Sequence, residues 1–252
     1  MKIGIIGTGS IGAELTRKLS AAGHAVQVAN TRGPQSTAQL AAEAGATPVT
    51  LDEVGAGVDV LVTSIPFARM PDIKPIVDRL PSSVPVADTS NYYRHRDGRI
   101  EEIDNGTAEG MWVEQQLDRP VVRAWNSVVQ STLQTKARPK GAPDRIAVPV
   151  AGGGWLAKRL VMGLVDDTGF DPVDAGDVED TWRIQMAAPA YCTDLNAEQL
   201  EKALGLADRD AVLARREAVL SIIESWDHGE SFFDDLVALN RAAAGLSRLL
   251  GR

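Results

Sequence analysis

Short apolar runs alternate with amphipathic stretches over most of the chain. Strands are predicted at residues 2–6, 25–29, 58–64, 84–88, 121–125, 145–150 and 170–173. The run at 58–64 is rich in β-branched residues without polar interruption, which is typical of a strand buried on both faces. This pattern indicates a sheet whose central strands are covered on both sides.

Helical periodicity fills the intervals between these strands. Ile11, Leu15, Leu19 and Ala22 recur at helical spacing, and Gly23 follows as a typical helix end. Further helices are predicted over residues 37–44, 70–80 and 155–165. Strands that alternate with helices predict an α/β, Rossmann-type doubly wound fold with a mostly parallel sheet.

The pattern changes after Gly176, where longer helical stretches begin. Two apolar helix faces are predicted from Val212, Val219, Ile222, Ile223 and Trp226, and from Leu236, Leu239, Ala243, Leu246 and Leu250. We therefore expect one unit at residues 1–140 and a smaller α/β-to-helical region at 141–252. The polar stretch 91–105 is predicted to be a loop.

The turn after the first predicted strand contains Gly7, Gly9 and Gly12. Glycines at this spacing between a strand and a helix are typical of dinucleotide binding. The first glycine allows the tight turn, the second lets the backbone approach a pyrophosphate, and the third lets the helix lie close to the strand. The backbone amides of Ser10, Ile11 and Gly12 would attract the phosphates. The alternative is a tight turn that binds no ligand.

The end of the second predicted strand indicates which dinucleotide is bound. NAD-selective folds usually carry a carboxylate there, whereas this chain has Asn30, Thr31 and Arg32. A guanidinium suits a phosphate, and the threonine adds a hydroxyl donor. We therefore predict NADP(H) rather than NAD(H) and assign residues 1–140 as the NADP-binding domain. The alternative is that Arg32 is a solvated loop cation.

Polar and apolar residues follow several strands at the edge where ligands of such folds bind. Ser64, Ile65 and Pro66 end the most apolar strand, and the Ile-Pro step would form a wall against the nicotinamide. Asn91 and Asn126 follow later strands and are expected to face the same crevice. The alternative for Pro66 is an ordinary strand-ending proline.

Composition excludes several functional classes. The net charge is −8 over 252 residues, which argues against nucleic-acid binding. No apolar run is long enough to span a bilayer, and the N-terminus lacks the pattern of a signal peptide. One cysteine and three scattered histidines predict neither an internal disulfide nor a metal site. We expect a cytoplasmic protein.

Seven stretches of the chain resemble a known family. They are GIIGTGSIG near the start, NTRGP at 30–34, TSIPF at 63–67, SNYYRHRDG at 90–98, VVRAWNSV at 121–128, VPVAGGGWLAKRLV at 148–161 and GFDPVDAGDVEDTWR at 169–183. The sequence is similar to the NADP-dependent oxidoreductases related to the NADPH-dependent reductase of the deazaflavin coenzyme F420. The resemblance implies a Rossmann domain, NADP(H) as hydride carrier, a cleft closed by the C-terminal part, and a homodimer.

The resemblance also implies roles for individual residues. Thr8, Thr31 and Arg32 would hold the region of the 2′-phosphate, and Ile65 and Pro66 would lie near the nicotinamide.

The chain departs from this family at the expected acceptor side. Deazaflavin-reducing members have a histidine at the position of Asn126 and acidic residues at the positions of Gly153 and Gly154. Two additional helices are also expected here near the C-terminus. These departures concern the acceptor and leave the prediction of NADP binding unchanged.

Two acceptor chemistries follow, with different demands on the protein. Hydride transfer to a deazaflavin requires stacked rings and exclusion of water. Reduction of a small ketone or imine also requires a proton donor. Tyr92, His95 and Asn126 are the candidate catalytic residues, with Tyr93 as a further hydroxyl in the same loop. The tyrosines are equally consistent with packing, and His95 with a solvated loop.

A non-catalytic module that senses NADPH is the third possibility. Two other residues are given no role in any of these functions. Lys158 is predicted to lie on the surface of a helix, and Cys192 to be a small buried apolar residue.

Overall fold

A single eight-stranded sheet organises the protein. The computed structural model describes residues 1–226, 229 and 231–246. Its strands are β1 (Lys2–Ile6), β2 (Ala25–Ala29), β3 (Thr47–Pro48), β4 (Val60–Thr63), β5 (Val86–Asp88), β6 (Val121–Arg123), β7 (Ala147–Gly152) and β8 (Asp171–Asp174). They lie in the order β3-β2-β1-β4-β5-β6-β7-β8.

All neighbouring strands are parallel except β6 and β7, which pair antiparallel. The order of the first six strands is that of a dinucleotide-binding Rossmann sheet. The predicted fold class is therefore confirmed. The strand order reverses between β1 and β4, and ligands of this fold bind at the carboxyl ends of the strands beside that reversal.

Helices cover both faces of the sheet. The α-helices are α1 (Ser10–Ala21), α2 (Ala38–Ala44), α3 (Lys74–Val77), α4 (Arg94–Asp97), α5 (Glu101–Asp104), α6 (Glu109–Leu117), α7 (Gln130–Thr135), α8 (Gly154–Asp167), α9 (Ala197–Gly205), α10 (Arg209–Glu224) and α11 (Phe232–Ala243). Three 3₁₀-helices lie at Pro34–Ser36, Phe67–Ile73 and Val178–Ile184. None of the helices in the described part of the chain has the length and apolar content needed to span a membrane.

Alternating residues of the central strands enter two separate cores. Ile3 and Ile5 of β1 pack with Leu15 and Leu19 of α1 on one face. Ile6 packs on the opposite face, in the cluster that contains the stacked rings of Phe67 and Trp112, whose centroids are 4.6 Å apart. This period of two explains why the central strands contain almost no polar residue.

Three predicted elements differ from the structure. Residues 70–80 do not form one helix, because Pro71 and Pro75 divide the segment into the 3₁₀-helix Phe67–Ile73 and the short α3. The stretch 91–105 is not a continuous loop, since it contains α4 and α5. The strand predicted at 145–150 begins later, at Ala147, because the Arg145 amide still belongs to the preceding turn and donates to the Ala142 carbonyl at 3.2 Å.

The C-terminal helices pack on a third apolar cluster. Val212 and Val219 of α10 are buried there as predicted, but Ile222 is 42% exposed. Ten residues separate Ile222 from Val212, which turns it about 80° away from the buried face of a regular helix. Of the second predicted face, Leu246 is buried, and Leu250 lies outside the described residues. The division at residue 140 stays a prediction; β7 and β8 extend the same sheet beyond it.

The prediction of a surface position for Lys158 was wrong. Its side chain is 9% exposed, and its Nζ donates hydrogen bonds to Asp174 Oδ1 at 2.7 Å and to the Gly176 carbonyl at 2.9 Å. The reason is that α8 packs directly against β8, which places the ammonium group beside the end of that strand.

Candidate functional site

The glycine turn between β1 and α1 contains two glycines that the fold itself requires. A Cβ on Gly7 would lie 2.0 Å from the carbonyl oxygen of Ser64, and the backbone φ of Gly7 is +105°. A Cβ on Gly12 would lie 2.2 Å from the carbonyl oxygen of Gly7. These two positions therefore hold the turn and α1 tightly against the end of β4.

Gly9 is different, because no atom of the residues that the structure describes lies within 4 Å of the place where its Cβ would be. Its φ of −72° is accessible to any residue. It is the N-cap of α1 and provides no side-chain cap. The amides of Ser10, Ile11 and Gly12 have no intrahelical acceptor, since they belong to the first turn of the helix. The turn thus presents free N–H donors beside an open space.

The turn after β2 is held against this glycine turn by Asn30. The Asn30 Nδ2 donates to Thr8 Oγ1 at 3.0 Å, while its Oδ1 accepts from the Arg32 amide and from Ser36 Oγ, both at 2.8 Å. Thr31 and Arg32 are exposed on this turn. The Arg32 guanidinium makes no hydrogen bond or ion pair with any residue the structure describes.

In the sequence alone, Asn30 indicated only that the carboxylate typical of NAD-selective folds is missing at this strand end. An asparagine at a strand end that precedes Gly and Pro is a signal for such side-chain-bonded turns.

A cleft of about 380 Å³ opens from the glycine turn at the carboxyl ends of the strands. The predicted site residues that line it are Gly9, Ser10, Ile11, Ser64, Ile65, Pro66, Asn91 and Asn126. Thr31 and Arg32 are not among its lining residues; Asn30 keeps them next to Thr8. The sheet thus brings the ends of β1, β4, β5 and β6 to one cavity, as expected for this topology.

The far wall of the cleft comes from the second half of the chain and was not predicted residue by residue. Its lining residues there are Val128, Val129, Gln130, Tyr191, Cys192, Phe233 and Leu236. Phe233 and Leu236 belong to α11, so this helix closes the cleft opposite the glycine turn. The wall combines apolar side chains with one phenol, one thiol and the amide of Gln130.

Two asparagines link neighbouring strand ends at the floor of the cleft. Asn91 Nδ2 donates to the Asn126 carbonyl at 2.7 Å, and Asn126 Nδ2 donates to the Ile184 carbonyl at 2.8 Å. The Oδ1 of Asn126 is buried and has no hydrogen-bond donor among the described residues. A buried carbonyl oxygen without a donor is costly, so this atom is an unsatisfied acceptor at the cleft floor.

A buried ionic network lies behind this floor. Arg123 of β6 pairs with Asp88 of β5 and, at 2.9 Å, with Glu109 of α6, and all three side chains are at most 1% exposed. Arg123 also donates to the Ser90 carbonyl at 2.5 Å, which fixes the chain that leads to the cleft. Burial raises the pKa of Glu109 to about 7, opposed by the nearby Arg123 guanidinium. The single guanidinium of Arg123 thus forms ion pairs with two buried carboxylates.

A second polar group, formed by two tyrosines, lies in the cleft wall. The hydroxyl oxygens of Tyr93 and Tyr191 are 2.6 Å apart. Burial raises the pKa of the Tyr93 hydroxyl to about 12 and also raises the pKa of Tyr191 and of the adjacent Cys192 thiol. Both phenols are therefore neutral at physiological pH. Arg96 covers Tyr93, with its Cζ 4.8 Å from the ring centroid.

Two of the predicted catalytic candidates are not brought into the cleft. Tyr92 is buried behind it and donates to the Gly98 carbonyl at 3.0 Å. His95 is about half exposed on α4 and lies 3.0 Å from Glu224. Neither residue is among those that line the cleft, so packing accounts for Tyr92 and surface pairing for His95. Asn126 alone of the three candidates reaches the cavity.

The N-terminal part of the chain matches a protein family. Residues 2–92 match the model of the family described as NADP oxidoreductase, coenzyme F420-dependent. The resemblance found in the sequence is confirmed. The matched segment runs from β1 to the residues after β5, so it includes the glycine turn, Arg32 and the Ile65-Pro66 step. The family match therefore covers the side of the cleft assigned to the dinucleotide.

Individual relatives support the same fold. The protein YjhV of Escherichia coli is 43% identical over 77 residues, which are 31% of this chain and 56% of YjhV. The solved structure of SMa0349 from Sinorhizobium meliloti is 26% identical and covers 78% of this chain and 95% of its own, with a TM-score of 0.67. A candidate F420-dependent NADP reductase from an Arthrobacter species is 24% identical and covers 71% of this chain and 86% of its own, with a TM-score of 0.58.

The family match thus covers the first part of the chain, and the solved structures share its fold. The shared segment with YjhV is little more than half of that relative.

Proposed function

We propose that this protein is an NADP(H)-dependent oxidoreductase that moves hydride between NADPH and an acceptor in the cleft. The observation that carries the proposal is the open space at Gly9. Packing explains the lack of a side chain at Gly7 and Gly12, but no protein contact explains it at Gly9. A pyrophosphate bound by the amides of Ser10 and Ile11 accounts for that glycine.

The turn after β2 supports NADP(H) over NAD(H). Asn30 uses its side chain for the turn itself, and no carboxylate stands there to repel a 2′-phosphate. The free guanidinium of Arg32 and the exposed hydroxyl of Thr31 would bind that phosphate. Thr8 would complete this region, since Asn30 holds it beside the same turn.

The remaining lining residues suit the nicotinamide end. When bound, NADPH supplies the hydride. Ile65 and Pro66 provide an apolar surface for the ring, and the unpaired Asn126 Oδ1 accepts a hydrogen bond from the ring's carboxamide N–H. Phe233 and Leu236 exclude water from the opposite side. The protein therefore contributes by positioning the nicotinamide and by excluding water from the cleft.

The family name makes coenzyme F420 the first acceptor to test. A flat deazaflavin needs stacking against the nicotinamide and no strong acid or base. A small ketone or imine is the second candidate, and the paired hydroxyls of Tyr93 and Tyr191 in the cleft wall favour it. Assembly as a homodimer remains a prediction.

Loss of reduced-nicotinamide absorbance tests the proposal. We expect the purified protein to oxidise NADPH in the presence of coenzyme F420 or of one member of a panel of ketones and cyclic imines. NADH should react at least about tenfold more slowly, because the phosphate contact is missing. If NADPH binds tightly and no acceptor oxidises it, the proposal is wrong and the NADPH-sensing alternative is favoured.

A further inference from the structure

The hydroxyl pair of Tyr93 and Tyr191 has more hydrogen-bond donors than the protein uses. Their oxygens are 2.6 Å apart, so one of the two protons lies between them. This row of two hydroxyls holds two protons and has one internal contact. One donor is therefore left over, and the cleft is the space that both residues line.

The location of the two rings indicates which end of the row meets the ligand. Tyr191 and Cys192 are 3% and 4% exposed and belong to the apolar cluster beneath α10 and α11. Tyr93 is only partly buried and packs against that cluster from the cleft side. It also lies two residues after Asn91, whose side chain holds the Asn126 backbone at the cleft floor. Tyr93 is the outer member of the row and Tyr191 the inner one.

The charged group and the Asn126 amide of the cleft lining do not supply this proton. Among the lining residues, Arg96 has the only charged side chain, and it is paired with Asp97 at 2.8 Å and with the Asn91 carbonyl at 2.6 Å. The neutral amide of Asn126 has its free Oδ1 as an acceptor only. His95 lies outside the cleft.

We propose that the Tyr93 hydroxyl donates the proton that accompanies hydride transfer, and that Tyr191 positions it. This inference rests on the proposed function. The hydride pair from NADPH forms a C–H bond at the acceptor carbon, and the π electrons of the C=O, C=N or conjugated deazaflavin system move to its heteroatom. That heteroatom takes the Tyr93 proton, and solvent restores the phenol after product release.

The acceptor class follows from this geometry. NADPH is oxidised by two electrons and the acceptor is reduced by two, so the acceptor must contain a carbon joined through a π system to a basic oxygen or nitrogen. The anion that hydride addition leaves on a ketone oxygen is far more basic than a phenolate, so a neutral tyrosine is acidic enough.

Three hydroxyl-deleting variants test the inference. Tyr93→Phe should lower kcat at least about 100-fold with whichever probe the wild type reduces, coenzyme F420 or a ketone or cyclic imine. Tyr191→Phe should lower kcat less, since the donor remains but loses its partner. Tyr92→Phe is the matched control, because it removes the hydroxyl of an adjacent buried tyrosine that does not line the cleft, and it should keep wild-type turnover.

Two further readouts separate proton donation from packing. The solvent deuterium isotope effect on kcat should be present in the wild type and change in Tyr93→Phe, while the Kd for NADPH stays within about twofold. In a complex of NADP⁺ with a ketone probe, the infrared carbonyl band of the ketone should shift upward in Tyr93→Phe as its hydrogen bond is lost.

Wild-type kcat in a folded Tyr93→Phe, or an unshifted carbonyl band, would overturn the inference and leave the proposed function intact. Failure of the wild type to reduce any probe would instead contradict both this inference and the proposed function.

Discussion

Three glycines of one turn are needed for three different physical reasons. Gly7 has a left-handed backbone, Gly12 permits contact between the helix and the strand, and Gly9 faces open space. The sequence predicts the positions of all three, because the spacing is a local property of the chain. It does not reveal that Asn30 links this turn to the next, since that contact depends on where two strands lie in space.

The difference between these glycines leads to opposite outcomes on substitution. Gly9→Val should leave the protein folded, with a loss of at most about 1 kcal/mol in unfolding free energy at the helix N-cap. Its affinity for NADPH should fall at least about tenfold, because the side chain fills the pyrophosphate space. Gly12→Ala is the contrasting variant and should cost about 1–3 kcal/mol of stability, since its Cβ would lie 2.2 Å from a carbonyl oxygen.

Calorimetric titration with NADPH and thermal unfolding measure the two effects. A folded Gly9→Val protein that binds NADPH like the wild type would show that the turn holds no pyrophosphate.

At the scale of elements, a buried network of ion pairs connects α6 to the ends of β5 and β6. It is formed by Asp88, Glu109 and Arg123. Each residue comes from a different element, and the Ser90 carbonyl is bonded to the same arginine. The sequence gives no signal for this group, because its charges are separated along the chain by helix and loop. Their isolation from solvent becomes visible only once the sheet is assembled.

Burial is the main cause of the raised pKa of Glu109, about 7; the Asp88 carboxylate adds to it, and the Arg123 guanidinium opposes it. The folded state therefore binds a proton that the unfolded chain releases at lower pH. The stability from this group is fully present below the unfolded pKa of about 4.5 and is lost as pH rises through about 7. Wild-type protein should lose on the order of 1–3 kcal/mol between pH 5 and 8 relative to Glu109→Gln.

Unfolding free energies of both proteins across this pH range check the expectation. Glu201→Gln, which changes an exposed carboxylate of α9, is the control and should follow the wild type. Parallel curves for wild type and Glu109→Gln would mean that Glu109 is already ionised in the folded protein.

At the scale of the whole molecule, the parallel sheet explains why the cofactor side of the cleft could be predicted. Ser64, Asn91 and Asn126 end strands that topology must bring to one edge. The far wall could not be predicted in the same way. Tyr191 meets Tyr93 across 98 positions of the chain, and α11 reaches the cleft through packing that periodicity does not encode.

The same limit explains the differences in local structure. The apolar pattern predicted a helix over 70–80 in which Pro75 marks a kink or a later start, but the place where it breaks depends on which amides are bonded in three dimensions. Lys158 was expected on the surface because most lysines are exposed. The carboxylate that accepts a hydrogen bond from its Nζ, that of Asp174, belongs to the next strand and could not be inferred from the helix alone.

The assignment to NADP(H) depends on recognition of the adenosine 2′-phosphate, which titration of NADPH and NADH into wild type and Arg32→Ala measures. We predict that the wild type binds NADPH at least about tenfold more tightly than NADH. Arg32→Ala should weaken NADPH about 10- to 100-fold, the range for one charge-assisted hydrogen-bonded contact, and leave NADH within about twofold. Equal losses for both dinucleotides in Arg32→Ala, or a wild type that binds neither, would contradict it.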